Sequence, residues 1–383
     1  MSFMLYSILS ALRGGSFMST QNHVFAATCP TQSKGKMLHI EFLRIIAIYL
    51  VLFNHTGVKG FFHFSVAADS HFYWMYLFFS IWDKIAVPLF FMISGALLLQ
   101  KDESLSHLYY KRVLKFIVIL LAISAIYQLY DYYVNNDNIE PKTILLEFVN
   151  GSTSTALWYL YSYIGVLIML PFLRKLARSL SSNEYLYLIA LRIIFFGVFP
   201  MIFFLIFREP QNFGNYLPLV TADNIFFLLI GYYAEHLLPD RLLTKKNLLF
   251  GLLFSVISIM ICCLMTHYKI IVSGDCSEST SQIFHKSLIV IPCITIYLCC
   301  KYYFAHRSIP AFIQRIILFF GRTTFGVYLL ERILRQSTTT IFDMLKPYIH
   351  TFPACILWIF CACLIGSVIT FLLQKIPIVK NFL

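Results

Sequence analysis

Charge is what this sequence has least of. Only 13% of its 383 residues are Asp, Glu, Lys or Arg, against roughly 25% in a soluble domain. So few charges cannot cover a water-facing surface, which excludes a soluble globular protein. A cysteine framework is missing too. Cys262-Cys263, Cys293, Cys299-Cys300, Cys355, Cys361 and Cys363 lie in apolar runs, where they read as small packing residues rather than disulfide or zinc partners. Cys276 lies in a polar stretch with no local partner. A secretory leader is not expected either. Phe25-Ala26-Ala27 mimics a cleavage site, but no basic segment followed by a continuous apolar core precedes it. Nor is there an internal repeat. Gly95 and Gly321/Gly326 do not occupy corresponding positions, which argues against an inverted-repeat transporter.

What is present is apolar: 59% of the residues, with a mean hydropathy of +0.75, 38 Phe and 24 Tyr. Runs of helical length recur from end to end. They predict an all-α, polytopic membrane bundle of about ten spans, at 38–57, 73–99, 112–134, 156–173, 185–207, 218–237, 247–266, 284–304, 312–342 and 353–374. The second and ninth runs are long for one crossing, and Pro88 in the second favours a bend. Residues 1–36 read as an N-terminal tail, either disordered or preceding the true start at Met18 or Met37. The membrane domain covers 37–375, and 376–383 is a short tail. An even number of spans puts both termini on one side. Lys and Arg on that side's connections outnumber those on the other by about three to one, which makes it the cytoplasmic side. The net charge of +12 is therefore explained by topology, without nucleic acid. The opposite loops at 58–72, 135–155 and 267–283 are longer and polar, as contact with a polar acceptor or simple solvation requires.

One stretch organises the rest: Met37 to Gly60, MLHIEFLRIIAIYLVLFNHTGVKG. Glu41, Arg44 and His55 interrupt a run of spanning length, and ionisable groups within a span are costly enough to mark a functional site by default. Arg44 and His55 are eleven positions apart, which returns a helix to within about 20° of the same face at a separation of about 16 Å. The plain alternative is a snorkelling Arg44 paired with Glu41 and an interfacial His55 beside Asn54.

Four further segments carry chemistry. In DKIAVPLFFMISGALLL, Asp83 and Lys84 lie within or at the outer end of the span, while Ser94-Gly95 permits close helix approach. Lys111, Arg112 and Lys115 cluster at a helix start, either as a topology signal or as partners for a polyphosphate. Trp158, Tyr159, Tyr161 and Tyr163 form an aromatic group that suits an interfacial belt or a sugar platform. GRTTFGVYLLE ends in charges, with Arg322 and Glu331 followed by Arg332 and Arg335.

Together these segments resemble the acyltransferase-3 family of integral membrane O-acyltransferases. The resemblance rests on Arg44 and His55 ten residues apart in the first span, VPLFFMISGALLL at 87–99, KRVLK at 111–115, LWYLY at 157–161 and GRTTFGVYLL at 321–330, in that order over about 37–375. It implies transfer of an acyl group, commonly acetyl from acetyl-CoA, to a carbohydrate hydroxyl in O-antigen, capsule, exopolysaccharide or a lipid-linked precursor. It also implies a bacterial inner membrane. His55 is then the essential histidine and Arg44 its motif partner, with Lys111, Arg112 and Lys115 at the acyl donor. Glu41, Asn54, Asp83, Arg322 and Glu331 are support residues. No metal and no tightly bound cofactor are expected. The chain departs from the family pattern at Ala156 and Glu331, where many members carry His, and its third-span cluster has Lys where Arg is common. Those departures leave His55 as the main acid–base candidate, acting as general base or as acyl carrier. The rival from another class is a transporter or flippase for a lipid-linked glycan.

Overall fold

The computed structural model describes residues 37–67, 71–135, 155–209, 217–277, 282–380 and 382. The tail assigned to 1–36, and the loop residues 68–70, 136–154 and 278–281, lie outside the described residues. Every regular element among the described residues is helical. The principal helices are α1 (Leu38–Asn54), α2 (Tyr73–Asp83), α3 (Ala86–Leu98), α4 (Leu114–Tyr130), α5 (Trp158–Ser179), α6 (Ser182–Leu191) and α7 (Phe199–Phe207). They continue with α8 (Asp223–Tyr232), α9 (Lys245–Ser273), α10 (Val290–His306), α11 (Ala311–Leu329), α12 (Glu331–Ser337), α13 (Thr339–Leu345) and α14 (Thr351–Leu373).

Local chemistry explains the ends. Glu41 in the first turn of α1 complements the helix dipole. Ser181 and Glu184 form a capping box on α6. Gly274, with φ +63°, ends α9 in the left-handed region. Pro88 has no N–H for the carbonyl of Lys84, and its ring crowds that group. The long second run is accordingly interrupted at Lys84–Ile85, between α2 and α3. The ninth run breaks twice, at Leu330 and at Thr338. A π turn over Tyr109–Val113 leads into α4.

Six stretches are long and apolar enough to cross a membrane: Tyr73–Leu98, Leu105–Val134, Trp158–Ser179, Ser182–Phe207, Lys245–Ser273 and Thr351–Leu373. The other four expected spans fall short of that standard. The helices α1 and α10 have 17 residues each, α8 has 10, and α11 carries Arg315 and Arg322. A full crossing needs about 20 apolar residues. Three of these four helices, α1, α8 and α11, line the cavity described below; α1, α8 and α10 fall short by length, and α11 by its charged residues.

Close backbone contact holds the centre together. The helices α3 and α8 interlock through two glycines: a methyl at Gly95 would strike the carbonyl of Leu228, and one at Gly231 the backbone of Met92. On the other flank, α11 approaches α1 at Gly321, where a Cβ would collide with Glu41. Small residues let helices approach this closely without a large apolar driving force.

Candidate active site

A cavity of about 550 Å³ runs alongside α1 and is walled by α3, α4, α5, α8 and α11. Arg44 and His55 both line it. The face shared by these two residues, read from their spacing, therefore points into one continuous space.

His55 caps the C-terminus of α1. The chain turns directly after it, at Gly57, whose φ of +55° favours glycine. Thr56 fixes that turn by donating to Phe53 O (2.7 Å) and accepting from Phe61 N (2.8 Å). The His55 Nδ1 is buried and lies 3.2 Å from Glu331 Oε1, within ion-pair distance but outside hydrogen-bond geometry. The rest of the ring keeps access to the cavity, its side chain being 23% exposed. Glu331 is 1% exposed and also accepts from Arg335 Nε at 3.0 Å. It is the first residue of α12, directly after the Leu330 break. Tyr127 supports that break by donating to Leu329 O at 2.9 Å. The departure from the family pattern at Glu331 thus puts a carboxylate behind the histidine.

Two more expected support residues meet here. Asn54 Nδ2 donates to Asp83 Oδ2 at 2.6 Å, joining the end of α1 to the end of α2. Asp83 is fully buried, and both residues line the cavity. Ala156 also lines it, and its carbonyl accepts from Tyr328 at 2.8 Å. That position contributes backbone rather than a titrating side chain.

The middle of the cavity is aromatic. Tyr159 and Tyr163 stack at 6.0 Å, and Phe116 packs between Tyr163 (4.9 Å) and Phe325 (5.6 Å). The tyrosines assigned to an interfacial belt therefore include two that wall the site.

The far end is cationic. Arg44 pairs with Glu41 at 2.9 Å, and Lys115 and Arg322 line the cavity beside it. Arg322 comes close because Gly321 seats α11 against Glu41. Of the basic cluster at the start of α4, only Lys115 reaches the lining. Lys111 points to the exterior. Arg112 is clamped by Glu103, which also binds Arg174 Nη2 at 3.0 Å. The hydrogen bonds from Arg112, then those from Arg174, hold the Glu103 carboxyl down to about 2 against the cost of its burial. Arg174 ties the network to α3 through Leu98 O (3.0 Å).

An acyltransferase domain model matches residues 37–372. The chain belongs to the acyltransferase-3 family. Searches among curated proteins and among solved structures find no match. With six stretches capable of crossing a bilayer, the protein is a membrane acyltransferase. The family's motif segments all converge on the cavity. The α3 motif packs beside α1, the LWYLY segment opens α5, and GRTTFGVYLL forms the second half of α11. Sequence reasoning did not single out Asp223, Gln282 and Lys286, which line the same end as His55. An acid at the start of an apolar run was the available signal for Asp223.

Proposed function

We propose that this membrane acyltransferase moves an acetyl group from acetyl-CoA to a hydroxyl of a cell-surface carbohydrate, in O-antigen, capsule, exopolysaccharide or a lipid-linked precursor. One observation carries the reading. A histidine backed by a buried carboxylate stands at one end of a cavity whose other end is lined by Arg44, Lys115 and Arg322. The chemistry needs that separation. The nucleotide of the donor is a polyanion, and its thioester lies at the end of a long arm comparable to the ~16 Å between Arg44 and His55.

In this reading His55 takes the proton of the acceptor hydroxyl at its cavity-facing nitrogen. The freed oxygen bonds to the acyl carbon as the carbon–sulfur bond breaks, and His55 returns the proton to the departing thiolate. Such proton transfer contributes typically about 10²–10⁴-fold. Glu331 stabilises the imidazolium formed on the way, as the carboxylate of a hydrolase triad does. That support favours the proton role of His55 over acyl carriage, since the carboxylate stands where positive charge develops on the ring during proton transfer. Lys115 and Arg322 have no carboxylate partner among the described residues and suit the donor's phosphates. Lys111 adds to the field at that rim. Arg112 acts mainly through its clamp on Glu103, which fixes the start of α4.

The four short or charged helices complete ten crossings, three of them walling the cavity. The Arg44 end and both termini then face the cytoplasm of a bacterial inner membrane, where acetyl-CoA is made. The test is acetyl transfer from labelled acetyl-CoA by purified protein, with Lys115→Ala and His55→Ala beside the parent. Transfer that is lost in His55→Ala and weakened at low donor in Lys115→Ala supports the reading. A parent that neither binds CoA nor transfers acetyl, while moving a lipid-linked glycan across vesicles, is a transporter instead.

A further inference from the structure

The His55 end of the cavity contains groups that the proton transfer does not use. Asp223 is the first residue of α8 and lines the cavity with Trp158 and Lys286. Its carboxylate is held from behind by Arg192, whose side chain is 1% exposed. Arg192 also donates to Val220 O at 2.6 Å, and its guanidinium lies 3.7 Å from the ring centre of Phe196. A buried guanidinium among aromatic rings is costly unless it is fully paired. Here it fixes one oxygen of Asp223, while the other lies 3.6 Å from Lys286 on the open side.

The position of Trp158 follows from a second contact. Asn224 Nδ2 donates to Ser162 Oγ at 3.0 Å, which locks α8 to α5. Trp158 and Ser162 are i, i+4 on α5, so they share a face one turn apart. The indole therefore stands about one turn from the residue next to Asp223. It is 46% exposed and is braced edge-on by Tyr159, with rings at 89°.

The combination is chemically specific. The open groups are an immobilised carboxylate that only accepts, an ammonium that only donates, and a flat indole face with a single N–H. A sugar ring satisfies all three. Its neighbouring hydroxyls donate to Asp223 and accept from Lys286, while its C–H face lies on the indole. A lipid tail would strip water from the Asp223–Lys286 pair and offer it no hydrogen bond, and a simple anion would be repelled by Asp223. We infer that Trp158, Asp223 and Lys286 form a saccharide subsite that presents a pyranose hydroxyl to His55. This inference rests on the proposed transfer for its orientation and gives the acceptor its entry from the His55 end.

The test is saturation-transfer NMR with a panel of methyl hexopyranosides on the full-length protein in detergent, with no donor present. The parent is expected to bind at least one hexoside through its ring protons. Asp223→Asn should weaken that binding about tenfold or more, the range for losing one charge-assisted contact, and Trp158→Ala severalfold through loss of the ring face. Trp158 is half exposed, so its variant reports even where Asp223→Asn disturbs folding through Arg192. No hexoside binding by the parent, or equal binding by the parent and Trp158→Ala, overturns the subsite. A parent that binds hexosides but transfers no acetyl leaves the subsite standing and overturns the proposed reaction.

Discussion

Replacing Glu331 by Gln isolates what the buried carboxylate does for His55. The side chain keeps its size and an oxygen facing Nδ1, so only the charge is lost. Unit charges about 4 Å apart, at an effective dielectric near 20, interact by roughly 4 kcal/mol. The contact here is 3.2 Å, but Arg335 lies 3.0 Å from the same oxygen and offsets part of the charge. If about half survives, roughly 2 kcal/mol of imidazolium stabilisation is lost. At 1.36 kcal/mol per decade, that is a fall of about 30-fold in kcat. The KM for the donor should stay within about twofold, because the cationic end lies about 16 Å along the helix. The assay is steady-state transfer of labelled acetyl, with thermal unfolding of each variant as the folding control. Arg335 is 32% exposed, so its freed guanidinium can turn to solvent and the variant should fold. In a His55→Ala background the same substitution should change nothing further, since the two residues act as a unit. An unchanged kcat in Glu331→Gln, or a donor KM that rises in step with the loss, would refute the reasoning.

Other outcomes follow from the packing and the charges. Gly95→Ala puts a methyl against the Leu228 carbonyl and should destabilise by about 1–3 kcal/mol, read as a lower thermal midpoint. Gly231→Ala loosens the same contact, so the pair should fall short of additivity. Arg322→Ala removes a cation that has no carboxylate partner among the described residues and should raise the donor KM about tenfold with kcat near parental, as loss of ground-state binding does. Glu103→Gln tests the clamp through pH. The folded carboxyl is held at about 2, below its ordinary 4.5, so its contribution is complete above pH ~4.5 and disappears as pH falls towards ~2. Unfolding measured across that window should steepen for the parent and stay flatter for the variant.

The local features were readable in the sequence because helix periodicity is local. The eleven-residue spacing of Arg44 and His55 predicts a shared face, and the cavity lies along it. Pro88 predicts a bend, and the interruption comes one turn earlier because the missing bond would have reached Lys84. What periodicity cannot carry is contact between distant helices. Glu331 reads as an i, i+4 partner of Arg335, which it is, but nothing near it points to His55, 276 positions away in the chain. The basic cluster reads as a donor site, while Glu103, a few residues upstream, already holds Arg112. Asp223 and Arg192 lie 31 positions apart, so no local pattern pairs them, and they meet only where α8 packs. The span count depends on uninterrupted helix length as well as hydropathy, and the apolar runs at α1 and α8 end as helices of only 17 and 10 residues.

The central claim is that His55 performs proton transfer in acetyl transfer to a hydroxyl. The direct measurement is the turnover of labelled acetyl-CoA by parent and His55→Ala, with CoA binding determined on the same samples. The account predicts CoA binding close to parental and turnover lower by about 10²–10⁴-fold in the variant. Parental turnover in His55→Ala would contradict it.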